Sequence, residues 1–112
     1  MNSQEQQTLT ALKQSLMQSN HQHVIAQSKQ FLNAKPSEDA TREAMYVMAV
    51  AYRLAGEIKN AINTLMNLVE IFPDYGRGFQ ELGYCYAREN KHSEAANAFY
   101  QATRFNPALV AA

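Results

Sequence analysis

The fold is decided by the stretch at residues 76–109, which reads GRGFQELGYCYARENKHSEAANAFYQATRFNPAL. The stretch before it, residues 42–75, reads REAMYVMAVAYRLAGEIKNAINTLMNLVEIFPDY and has small and apolar residues at matching places. The two stretches are equally long, and Pro73 and Pro107 occupy the same position in them. A fixed period of about 20 to 50 residues is the signature of a repeat architecture. The chain is therefore predicted to be an array of similar units.

Each copy carries two stripes of apolar residues that return every three or four positions, the spacing of an amphipathic helix. Gly56 separates the stripes in one copy and Asn90 separates them in the next. Both residue types tolerate the left-handed conformation that ends a helix. Ser37 or Asp39 is expected to cap the third helix, and Asp74 the fifth. Six helices are predicted, at about 3–18, 22–34, 38–55, 58–71, 75–89 and 92–105.

The first copy, at residues 5–38, departs from the other two in its first helix. Its second helix fits the pattern and ends before Pro36. In the first helix, however, Thr8 and Ser15 occupy positions that are apolar or aromatic in the next copy. The apolar stripe is supplied instead by Leu9, Leu12 and Leu16. A rotated or shifted first helix is predicted, which suits a terminal repeat because one of its faces has no neighbour.

The pattern resembles the tetratricopeptide repeat, a helix–turn–helix unit whose length of about 34 residues equals that of the copies. The third copy carries the signature of that family nearly in full, at Phe79, Leu82, Gly83, Tyr86, Ala95, Phe99, Ala102 and Pro107. The resemblance implies an all-α fold, an α-solenoid of three tetratricopeptide helix-turn-helix repeats in a right-handed superhelical stack. One domain is expected over residues 1–112, with repeats at about 5–38, 42–75 and 76–109. An incomplete capping helix is expected to begin at 107–112.

Composition narrows the possible functions. Ten basic and ten acidic residues cancel, whereas a nucleic-acid-binding domain usually has a basic excess. The polar start of the chain resembles no secretory signal, and no apolar run approaches the roughly 18 residues of a membrane span. The single cysteine, Cys85, forms no internal disulfide and suits a reducing compartment. A cytoplasmic protein without nucleic-acid or membrane partners is therefore predicted.

The residue types that carry catalysis do not form a recognisable set. Cys85 aligns with Ala51 of the previous copy and is expected to be a buried small residue. His21 and His23 are two positions apart, whereas zinc ligands on a helix are spaced by three or four. The sequence also lacks the motif of a strand followed by a glycine-rich, phosphate-binding loop. The chain is predicted to be no enzyme and to bind no cofactor and no metal.

The resemblance implies that the first helices of successive repeats line a concave groove that binds a peptide or a segment of a partner protein. The register places the following residues of the second and third copies on it: Glu43, Tyr46, Val50, Arg53, Leu54, Arg77, Gln80, Tyr84, Ala87 and Arg88. The first copy would add Gln6, Leu9, Lys13, Leu16 and Met17.

Tyrosine and arginine are enriched at binding hot spots, and arginine pairs with carboxylates. An acidic peptide is the predicted ligand, and the groove is assigned to Tyr46, Val50, Arg53, Arg77, Gln80, Tyr84 and Arg88. The alternative is an ordinary solvated helix face with incidental tyrosines.

Two further possibilities remain open. The stretch from Pro73 to Leu109 also resembles repeats that precede a sulfotransferase domain in some bacterial proteins, so that the chain could be the N-terminal repeat array of a longer enzyme. Alternatively, the uncapped C-terminal end could pair two copies of the chain, because Tyr100, Phe105, Leu109 and Val110 are apolar residues near that end.

Overall fold

The computed structural model describes the chain at residues 1–111, and its side chains at residues 1–109. Six α-helices and a terminal 3₁₀ helix make up this part of the chain, which contains no strand. The α-helices are α1 (Ser3–Met17), α2 (His21–Asn33), α3 (Glu38–Leu54), α4 (Ile58–Ile71), α5 (Gly76–Arg88) and α6 (His92–Phe105). The all-α prediction is confirmed, and each helix boundary lies within one residue of its predicted position.

Each helix pair is joined by a turn with one residue in the left-handed region. These residues are Ser19, Gly56 and Asn90, with φ values of +63°, +82° and +61°. They stand at the same sequence separation before Pro36, Pro73 and Pro107, respectively, so that the same turn recurs in all three repeats. The sequence indicated Gly56 and Asn90 but not Ser19, because serine has no preference for this conformation.

The helix beginnings differ in how they are capped. Ser37 caps α3 as predicted, and its hydroxyl accepts a hydrogen bond from the Ala40 amide. The Glu5 carboxylate accepts bonds from the amides of Ser37 and Asn2, at 2.8 and 3.0 Å. These bonds hold the pKa of Glu5 below its ordinary value and tie the start of α1 to the start of α3.

The predicted cap of α5 is wrong. Tyr75, and not Asp74, is the residue before the first turn, and no side chain caps that turn. Gly76 begins α5 against the end of α6, where an added Cβ would lie 2.9 Å from the Ala102 carbonyl oxygen. The tight approach of the two helices therefore sets this start.

α3 occupies the centre of the array. It contacts α1 and α2 on one side and α4 and α5 on the other. Val47, Ala49 and Ala51 are buried along it, and Leu65 and Leu68 of α4 are fully buried against the same core. Because every repeat needs its neighbours to cover an apolar face, the three pairs form one continuous core.

Successive first helices touch, since α1 contacts α3 and α3 contacts α5. In contrast, the second helices of the three pairs, α2, α4 and α6, make no backbone contact with one another over residues 1–111. Successive repeats are therefore in contact through their first helices, α1, α3 and α5, whereas their second helices are separated. The solvent-facing side of the three first helices is called the inner face below.

The first repeat has the predicted atypical packing. Leu9 and Leu12 of α1 are buried in the core, while Thr8 and Ser15 are only partly covered. The expectation that Leu9 also lines the groove is wrong, because its side chain packs inward. Met17 is 86% exposed at the end of α1.

At the predicted start of the incomplete capping helix, Pro107–Ala111 form a short 3₁₀ helix that contacts α5 and α6. Tyr100 is exposed, whereas the ring of Phe105 stacks on Phe79 with 5.8 Å between centroids. The side chain of Val110 and all of Ala112 lie outside the described residues.

Candidate functional site

The predicted groove residues come from two adjacent helices of the inner face. Tyr46, Val50 and Arg53 belong to α3, and Arg77, Gln80, Tyr84 and Arg88 belong to α5. Direct contacts join the α3 and α5 sets at Tyr46 with Arg77 and at Arg53 with Tyr84. Val50 is buried, whereas the other six side chains keep some exposure.

Arg53 forms an ion pair across the two helices. Its Nε donates to Oε1 of Glu81 at 2.7 Å, and Nη2 donates to Oε2 at 3.4 Å. The Glu81 side chain is 5% exposed and that of Arg53 26%. Burial lowers the pKa of Arg53, but the hydrogen bond and charge of Glu81 outweigh it, so that the pKa lies above its ordinary value. The guanidinium is thus permanently charged and already neutralised by its partner.

Tyr84 is held in place by contacts on both sides. The Arg53 guanidinium lies over the tyrosine ring, 5.3 Å from its centroid. The ring of Phe99 from α6 meets it edge-on at a centroid distance of 5.5 Å. Tyr84 nevertheless remains 40% exposed. It therefore presents a fixed aromatic surface to solvent, which reduces the entropy that a ligand contact would cost.

Tyr46 lies in a second aromatic cluster, nearer the starts of the helices. Its ring meets that of Tyr75 edge-on at 6.0 Å, and the Arg77 guanidinium lies 6.0 Å from its centroid. The Tyr75 hydroxyl donates to the Glu43 carboxylate at 3.2 Å. Burial raises the pKa of both tyrosines, and the charges of Glu81 and Glu43, respectively, add to the increase. Both hydroxyls are therefore neutral donors at physiological pH.

The charges between α1 and α3 balance one another. Glu43 lies 3.7 Å from both Lys13 and Arg42, and Arg42 also lies 3.5 Å from Asp39. Two acids and two bases thus compensate each other at this edge of the inner face. It carries no strong net charge of its own.

Arg77 and Arg88 are different, because neither forms an ion pair within the part of the chain that the structure describes. Both side chains are exposed. Residues seven and eleven positions apart return to the same side of an α-helix, so Arg77, Tyr84 and Arg88 share one side of α5. The uncompensated positive charge of the α3–α5 surface is therefore concentrated on α5.

Sequence reasoning missed Glu81 and Tyr75 as structural parts of this surface. A signal for Glu81 was present, since it aligns with Val47 of the previous repeat, which is 2% exposed. A carboxylate at a buried position needs a cationic partner, and Arg53 supplies it. No comparable signal marks Tyr75, which lies before α5 and reaches Glu43 only through the stacking of the repeats.

Chemical groups of other kinds lie away from the inner face or are covered. Cys85 is fully buried, and burial raises the pKa of its thiol to about 11, with the nearby Glu81 charge contributing. Within residues 1–111, histidine, cysteine and carboxylate side chains form no group of three that could hold a metal ion. None of the helices in that range is long and apolar enough to cross a bilayer.

Comparison with known families identifies two copies of one unit. Models described as tetratricopeptide repeat match residues 43–75 and 77–109, which are the second and third repeats. The two matches together cover all seven residues assigned to the groove, from Tyr46 to Arg88. No curated protein matches the chain in a sequence search.

Proposed function

Because the chain belongs to the tetratricopeptide repeat family, we propose that it is a non-catalytic interaction module that binds a peptide or partner segment on its inner face. Repeats of this family are generally protein-interaction modules. The observation that carries the proposal is the fixed pair Tyr46 and Tyr84, flanked by the exposed guanidinium groups of Arg77 and Arg88. Rigid tyrosines and arginines are the residue types that dominate binding energy at interfaces.

The ligand in this proposal is acidic. Arg53 is already paired with Glu81, and the charges around Glu43 compensate each other, so that the attraction rests on Arg77 and Arg88. A guanidinium binds a carboxylate through two parallel hydrogen bonds, which gives direction as well as energy. The proposed surface also includes Gln80 of α5 and the buried Val50 of α3.

The test is capture of a partner from cell extract by the intact chain, followed by titration of that partner at two salt concentrations. Arg77→Ala is expected to weaken binding about five-fold, since contacts of exposed charges contribute up to roughly 1 kcal/mol. Raising the salt should reduce the affinity of the unaltered chain more than that of the variant. Lys59→Ala is the matched control, because Lys59 is an exposed cation on α4. Equal affinities for all three proteins would overturn the inner-face assignment.

Self-association through the C-terminal end is a second candidate. Tyr100 is 63% exposed on α6, which favours a contact there, although Phe105 already stacks on Phe79. A concentration-dependent mass in sedimentation that Tyr100→Ala abolishes is the expected result. A constant monomer mass at high concentration would contradict it. The proposal that the array precedes a sulfotransferase domain is tested separately, by sequencing the native gene beyond Ala112.

A further inference from the structure

We infer that the inner face distinguishes ligands by the spacing of two acidic side chains in an extended segment, with Arg77 and Arg88 as the two points of contact. This inference rests on the proposed function and specifies the charge pattern of its ligand. The observation behind it is that the two cations of the α3–α5 surface that form no ion pair among the described residues belong to the same side of one helix. The cation between them, Arg53, is neutralised by Glu81.

The distance between the two contact points follows from helix geometry. Arg77 and Arg88 are eleven residues apart in α5, which corresponds to about 16 Å at 1.5 Å per residue. An extended chain advances about 3.3 Å per residue. Two carboxylates about five residues apart in an extended segment therefore match the two guanidinium groups. A helical ligand would need about eleven residues to span the same distance.

The centre of the segment is expected to be uncharged. Gln80 and Tyr84 lie between the two arginines along the helix, and neither carries a charge. Both donors that Arg53 directs towards α5 are taken by the Glu81 carboxylate. An acidic side chain at the centre would therefore be desolvated without gaining an ion pair. An apolar or aromatic side chain would instead gain contact with the exposed part of the Tyr84 ring.

Spacing is tested with three synthetic peptides of equal composition, in which two glutamates lie about two, five or eleven residues apart around one leucine. The peptide with the middle spacing is expected to bind the unaltered chain about five- to ten-fold more tightly than the other two. Arg77→Gln and Arg88→Gln should each remove that preference. Lys59→Gln should leave it unchanged, because Lys59 is an exposed cation of another helix.

A gain of binding provides the second test. A third glutamate at the centre of the best peptide is expected to give no increase in affinity for the unaltered chain. In Glu81→Gln the charge of Arg53 is released, and the same three-acid peptide should bind about five-fold more tightly than the two-acid peptide. Circular dichroism verifies that the variant is folded. The spacing series needs no variant, so it decides the inference even if Glu81→Gln unfolds.

The outcomes separate the inference from the proposed function. Equal affinity for all three spacings overturns the inference, while a partner that still depends on Arg77 leaves the proposed function standing. Tightest binding at the widest spacing also overturns it and indicates a helical ligand. If the captured partner is insensitive to every substitution on the inner face, the proposed function fails and the inference fails with it.

Discussion

The first and third repeats fill the same helix crossing in opposite ways. In the third repeat Gly83 of α5 lies against the ring of Phe99 of α6, and a Cβ on that glycine would lie 2.5 Å from the ring. At the equivalent positions of the first repeat stand Leu12 on α1 and Ser28 on α2. The large residue is thus on the first helix in one repeat and on the second helix in the other.

The second repeat is intermediate, with Ala49 and Leu65 at the same two positions, both fully buried. Across the three repeats the residue on the first helix becomes smaller as the residue on the second becomes larger. Since protein interiors are close-packed, we interpret the series as a constraint on the combined volume of the pair. Neither position by itself has to be one residue type.

The largest effect is expected from Phe99→Ala. The ring fills the space above Gly83 and also supports Tyr84, so its removal leaves a cavity that the glycine cannot fill. A loss of about 3 kcal/mol in the free energy of unfolding is expected, at the low end for phenylalanine because the ring is partly exposed. Urea denaturation followed by circular dichroism measures it. Tyr100→Ala, an exposed neighbour, should change stability by less than about 0.5 kcal/mol.

Gly83→Ala tests the same crossing from the other side. The added methyl group is expected to cost about 2 kcal/mol, since the Phe99 ring must move. Combining it with Phe99→Leu recreates the pair found in the second repeat and should recover most of that loss. Should the double variant be no more stable than Gly83→Ala alone, the volume constraint would not hold.

The repeat pattern explains why the fold was predictable from the sequence. The period of about 34 residues and the recurring prolines are visible in the sequence itself. Gly56 and Asn90 are residue types that tolerate the left-handed conformation, so that the turns can be predicted without knowledge of tertiary contacts. The choice of Tyr75 over Asp74 before α5 was not predictable. It depends on how Gly76 meets the end of α6, which is a tertiary contact.

The sequence register predicted which arginines share the α3–α5 surface, but not how their charges are compensated. The register placed Arg53, Arg77 and Arg88 on one surface. The three side chains differ, however, in whether a neighbouring carboxylate compensates their charge. Only the packing of α3 on α5 buries Glu81 and neutralises Arg53. The charge available to a ligand is therefore a property of the assembled repeats, and the residue types alone overstate it.

Ser28→Leu places the large residue of the second repeat into the first. With Leu12 already present, the extra volume is expected to cost about 1.5 kcal/mol. Adding Leu12→Ala should relieve that overpacking, so that the double variant is more stable than the sum of the two single changes predicts. Thermal and urea denaturation of all four proteins complete the cycle. Simple additivity would show that the two side chains do not share the crossing.

Ser28→Ala is expected to stabilise the first repeat. The Ser28 hydroxyl is fully buried and has no hydrogen-bond partner among the described residues. Removing an unpaired buried hydroxyl and increasing helix propensity should add about 1 kcal/mol to the free energy of unfolding. The corresponding change at a paired site, Thr64→Ala, serves as the control, since the Thr64 hydroxyl donates to the Asn60 carbonyl at 2.9 Å. A loss of stability in Ser28→Ala would contradict the expectation.

The smallest effect is expected at the turn of the first repeat. Ser19 adopts φ of +63°, as Gly56 and Asn90 do in their turns, and a side chain is disfavoured in that region. Ser19→Gly should therefore raise stability by about 0.5 kcal/mol, after the added entropy of an unfolded glycine is subtracted. Gly56→Ala should lower it by about 1 kcal/mol, although the space around its Cβ is open. Equal stability of Gly56→Ala and the unaltered chain would refute this account of the turns.

The contact between successive first helices also has a mechanical consequence. The first helices touch while the second helices stay apart, so bending of the array changes the outer gaps more than the inner contacts. Collective motions of this kind occur on microsecond to millisecond timescales. Arg77 and Arg88 belong to a single helix, and the separation of their Cα atoms is fixed by its backbone hydrogen bonds. Elastic deformation of the array can therefore alter the curvature of the surface without altering the distance between the backbone positions of these two arginines.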